Sequence, residues 1–144
     1  MSEVAGAFVL AGRILIALFF GVVAAVTGHI AKSKDMEGYA RAMRFPLPAI
    51  AGWPTGLWLV AASVSVGFGI WGDLGALMIA AFLIAAAAWF HRFWEVEDEM
   101  QKLMQTGFFY RNVIGVGASL IMFGIFAGLG PALPFTLTEP LFSF

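Results

Sequence analysis

Apolar residues run through the chain in four blocks, at 4–28, 49–70, 74–91 and 108–130, separated by two short charged clusters and one tight polar turn. About 20 apolar residues at ~1.5 Å of rise each are needed to cross a bilayer, and each block meets or approaches that length. The pattern predicts an all-α membrane protein, an antiparallel four-helix transmembrane bundle, because short links force consecutive spans to be neighbours. One transmembrane domain then takes up residues 1–144, with an apolar tail at 131–144. The first block lacks the positive region that precedes the core of a cleavable signal, so it is read as a retained span.

The two charged links carry helical periodicity of their own. In "SKDMEGYARAMRFPLP", Ser33 is placed to cap a short helix with Met36, Tyr39, Ala40 and Met43 on one face, ended by Pro46 and Pro48. In "RFWEVEDEMQKLMQTG", Phe93, Val96, Met100 and Leu103 recur opposite Glu95, Asp98, Glu99 and Lys102 until Gly107, which predicts that span 3 continues out of the bilayer. An acidic amphipathic extension gains little from anionic lipid, so it should pack on its own bundle or on a partner. Gly52 with Gly56, and Gly124 with Gly128, have the four-residue spacing of close helix contacts. The tail "PALPFTLTEPLFSF" is too broken by proline to span, yet it carries Phe135, Leu137, Leu141, Phe142 and Phe144; it lies in the outer interface or docks on another subunit.

Composition agrees with the pattern: 61% of residues are hydrophobic and 12% charged, against roughly 45–50% and about 25% in soluble domains. A net charge of −1 excludes a basic nucleic-acid surface. The absence of cysteine leaves histidines, methionines and carboxylates as the available ligands, and no metal-ligand spacing, phosphate loop or nucleophile elbow occurs. Lys32, Lys34, Arg41, Arg44, Arg92, Lys102 and Arg111 fall on the side of the first and third links, and Arg13 alone falls toward the other. By the positive-inside rule those links are cytoplasmic and both termini face outward.

Three places could carry chemistry. Spans 1 and 3 run in the same direction, so His29 and His91, the two histidines of the chain, reach the same cytoplasmic interface. They form a shared site, with paired imidazoles for haem or a proton-handling pair at a quinone head group, or else they are interfacial residues like Trp89 and Trp94. Glu95 lies four residues after His91 and could fix its tautomer across one helical turn. On the outer side, Arg13 sits about nine residues into apolar sequence, where an unpaired charge is costly. It is expected to be clamped by Asp73 of the "WGDLG" turn, with Glu3 and Glu139 as rivals, or else to line an anion site.

The run "AGRILIALFFGVVAAVTGHIAK", with Arg13 opening and Gly28 closing span 1, is followed by "FPLP" before span 2. "FHRFW" then ends span 3, and "FFYRNVIGVGASLI" opens span 4 with the basic-Asn pair Arg111 and Asn112. In these features the chain resembles the DoxX family of small four-span bacterial membrane proteins. The resemblance implies residence in the bacterial inner membrane, with periplasmic termini. It also implies an anchor or quinone-side subunit of a redox complex, or part of a quinone-linked oxidoreductase if catalytic; a further reading is an accessory subunit of an energy-transducing complex, held by lipid-facing aromatic residues and the tail. Contacts with the lipid bilayer and with other membrane subunits through the spans, the aromatic residues and the tail are expected. The competing class is a stand-alone scaffold or small-molecule permease without a redox role.

Overall fold

The computed structural model describes residues 1–143, and the sequence expectation for Phe144 lies outside them. The described residues are all-helical. Helix α1 covers Glu3–Ile30, α2 Ser33–Ala42, α3 Trp53–Phe68, α4 Gly72–Phe90 and α5 Glu99–Leu129. Single 3-10 turns occupy Pro48–Ile50, Phe93–Glu95 and Gly130–Ala132. Three helices, α1 and the regions of α4 and α5, are long and apolar enough to cross a membrane; α3, at 16 residues, is apolar but shorter.

Each boundary has a local cause. Ser2 caps α1 by accepting from the Ala5 N–H. From Phe19 to Ile30 the helix is wound as a π-helix, with the Ala31 N–H reaching the Val26 carbonyl at 2.9 Å. Such windings gather at functional sites, and this one carries His29. Helix α3 stops where Gly69 turns left-handed at φ 65, a conformation glycine adopts without steric cost.

Two sequence expectations about the links are corrected. Ser33 does not cap α2, whose N-cap position is Lys32; the Ser33 hydroxyl instead accepts from the Trp53 N–H at 3.0 Å and ties α2 to the start of α3. Span 3 does not continue into the acidic link. It ends at Phe90, His91 leaves helical geometry (φ −124, ψ 46), and α5 begins at Glu99. The physical reason is a competing cap: Asp98 accepts from the Gln101 N–H at 2.8 Å, and Glu99 lies in the first turn, where a negative charge meets the positive end of the helix dipole.

The core joins Ala62 and Val66 of α3, Ala76, Ile79 and Leu83 of α4, Met122 and Phe126 of α5, and Leu133 of the tail; Val9, Ile16 and Phe20 of α1 pack against it. Gly56 admits Ile30 of α1, and Gly52 admits Ser33, so this pair does permit close approach. Gly124 and Gly128 face open space, so the second pair mediates no close contact among the described residues.

Candidate functional site

A cavity of about 540 Å³ opens where the end of α1, helix α2, the start of α3 and the end of α4 meet, within the range of small-molecule sites. Its walls are mainly aromatic and aliphatic: Phe45, Ile50, Pro54, Trp58, Phe82, Phe90 and the alanines of α4, with Met36 and Tyr39 from α2. His29 and His91 both line it, and among the lining residues there is no Lys or Arg. The ring of His29 stands edge-on to Phe82 at 5.6 Å between centroids, and that of His91 lies 5.3 Å from Phe108.

The hydrogen bonds fix which nitrogen each imidazole presents. His29 Nδ1 lies 2.6 Å from the Ala51 carbonyl oxygen. A carbonyl only accepts, so Nδ1 carries the proton and Nε2 is left for another group. His91 Nδ1 lies 2.9 Å from Gln105 Oε1. Nearby, the Tyr39 hydroxyl donates to the Phe90 carbonyl at 3.3 Å, an oxygen left free by the end of α4. An amide oxygen only accepts, so with Oε1 facing it His91 donates through Nδ1. Burial pushes the Tyr39 phenol above its ordinary range, and the bond from Gln105 opposes this.

The expected His91–Glu95 pair does not form, because the helix that would have stacked them ends between them. Glu95 accepts instead from Arg92 at 3.1 Å, and Arg92 also donates to the Met43 carbonyl at 3.0 Å. Gln105, 14 residues from His91, takes the role foreseen for Glu95. Sequence spacing held no signal for this contact, although the capping pattern at Asp98 marks the new helix that carries it.

At the opposite end of α1, Arg13 is 2% exposed. Its partner is not Asp73. Nε donates to the Val66 carbonyl at 2.9 Å, Nη2 to Gly67 at 3.0 Å and Nη1 to Phe135 at 3.0 Å, while the Phe126 ring lies 5.1 Å away. The first two oxygens belong to the last turn of α3, the negative end of a helix dipole, so backbone supplies the compensation expected from a carboxylate. Asp73, fully buried, holds the other end of the same tail: its Oδ2 accepts from the Phe142 N–H at 2.7 Å. The tail thus docks on its own bundle, further fixed by the Leu137 and Thr138 N–H groups on Gly69 and by Trp71 N–H on the Thr138 hydroxyl.

Arg111 is exposed and lies 5.4 Å from the Phe108 ring, whereas the adjacent Asn112 amide nitrogen is buried without a hydrogen-bond partner among the described residues. Among the described residues, no group of three or more His, Cys, Asp or Glu is arranged to hold a metal ion. For haem, the two Nε2 atoms are suitable ligands, but the cavity lining offers no cation to neutralise propionates. Comparisons with protein-family models, with curated proteins and with solved structures give no match.

Proposed function

We propose that the chain is an antiparallel four-span protein of the bacterial inner membrane that holds a lipid-soluble quinone-class ligand at its cytoplasmic interface and serves as a quinone-side subunit of a redox assembly. The observation that carries this reading is the convergence of two imidazoles, each anchored through Nδ1, on an aromatic cavity at one end of the bundle. A flat aromatic head group gains from apolar and aromatic walls, and the Nε2 atoms provide polar recognition at either side of it. The seven basic residues clustered toward this end support its cytoplasmic orientation. The short connection Gly69 to Trp71 supports an antiparallel α3 and α4, and α3 with its preceding turn supplies the fourth span. The resemblance to the DoxX family points the same way.

Purification from native membranes in mild detergent, followed by organic extraction and mass spectrometry, tests the reading. Wild-type protein should retain a quinone and co-purify with larger redox subunits, and His91→Ala should lose the quinone while keeping its melting temperature. Protein that carries neither ligand nor partner would favour a scaffold. Solute flux in liposomes would favour a permease.

A further inference from the structure

Every side-chain hydrogen-bond donor that lines the cavity is already committed to an acceptor of the protein. Thr55 Oγ1 donates to the Ile50 carbonyl at 2.6 Å, Trp58 Nε1 to Met78 at 3.0 Å, and Tyr39 to Phe90 at 3.3 Å. His29 and His91 use their Nδ1 protons on Ala51 and Gln105. With neutral imidazoles, the polar ring atoms left without a bond at these two lining residues are the Nε2 lone pairs, which only accept.

From this we infer that the cavity selects its ligand by the ligand's own donors: it is built for a dihydroxy aromatic, the hydroquinone form, and it discriminates against the corresponding quinone. A hydroquinone O–H donates to Nε2. A quinone carbonyl in the same pose sets lone pair against lone pair and, once the ligand covers them, leaves both imidazole acceptors unpaired, the arrangement that excludes a competitor most strongly. Gln105 is the positioning residue. By accepting from His91 Nδ1 it prevents the tautomer that would offer an Nε2–H to a carbonyl. The inference rests on reading the cavity as a quinone-class site.

The test is equilibrium binding to the full chain in lipid nanodiscs, under anaerobic conditions at pH 8, where imidazole is ordinarily neutral. Three short-chain probes of one shape are compared: a benzohydroquinone, its benzoquinone and its dimethyl ether. The hydroquinone should bind at least about tenfold tighter than the other two, since each stranded buried acceptor is worth roughly that factor or more. Equal or tighter binding of the quinone would overturn the selectivity while leaving the site in place. Failure of all three to bind would remove the site itself. Gln105→Leu should lower the hydroquinone-to-quinone ratio by strengthening quinone binding, an effect that mere loosening of the fold would not produce, and Gln105→Glu, which keeps an acceptor, should restore the ratio. An unchanged ratio in Gln105→Leu would show that the tautomer lock is not its source.

Discussion

Arg13 and Asp73 are both buried and do not pair. Arg13 donates to backbone carbonyls, whereas Asp73 accepts one backbone N–H through Oδ2 and its buried Oδ1 has no partner among the described residues; together they pin the two ends of one tail. The sequence marks both residues as anomalous, since ionisable groups among apolar neighbours must be compensated. It does not mark the compensating atoms, because a carbonyl is present at every residue and becomes an acceptor only where a helix happens to end. Arg13→Leu strands the Val66 and Gly67 carbonyls, at a cost of about 1–3 kcal/mol for each unsatisfied buried group. Bundle stability should therefore fall by at least ~2 kcal/mol in steric-trapping or denaturation measurements, with binding of an added quinone-class probe at the proposed histidine site unchanged. At the other end, Tyr39 offers a pH signature. Its phenol is held above the ordinary range by burial, so the folded state keeps this proton where the unfolded chain gives it up. The contribution is full below the ordinary phenol range and is lost as pH rises through the raised folded value. Ultraviolet titration should show a phenol ionising late, and Tyr39→Phe should abolish that late transition.

The helices illustrate which signals a sequence carries clearly. Four apolar blocks coincide with α1, α3, α4 and α5 because hydropathy is summed over many residues and survives local exceptions. The parity of spans also makes it legible that His29 and His91 approach one end. The acidic link differs from its sequence expectation for a local reason: periodicity in "RFWEVEDEMQKLM" is equally consistent with extending α4 or with starting α5. The cap at Asp98, worth about 1 kcal/mol, decides for α5. That choice removes Glu95 from His91 and brings Gln105 in its place. The tail is legible as a segment that shuns water, but its docking site is not, since the Gly69 carbonyl and the Phe142 N–H have no signature in sequence. Asp73→Leu removes the acceptor for Phe142, so limited proteolysis should cleave within the tail sooner than in wild type. Unchanged cleavage would show that the contacts of the tail with Arg13, Gly69 and Trp71 suffice to hold it.

At the scale of the molecule, the two ends of the bundle differ in chemistry. The end that carries Arg13, Asp73 and the tail is sealed by backbone hydrogen bonds, and the end that carries the histidines keeps an open apolar cavity. The basic residues concentrate at the second end, and the proposed topology, with both termini outside, rests on them through the positive-inside rule. A C-terminal alkaline phosphatase fusion should be active and a fusion near Lys34 inactive, with the reverse pattern inverting the protein in its membrane. The cavity is not the sole apolar recess among the described residues, because a second, of about 420 Å³, lies between α4 and α5 near Ile84, Trp94 and Phe109 and has no histidine in its lining. Photolabelling of the full chain in its membrane with an azido-quinone, followed by peptide mapping, separates the two most directly. Labels on α2, the start of α3 and α4 around Met36, Trp58 and Phe82, lost in His91→Ala, are the predicted result. Labelling confined to the recess at Trp94 and Phe109, or indifferent to both histidines, would contradict a quinone site at the paired imidazoles.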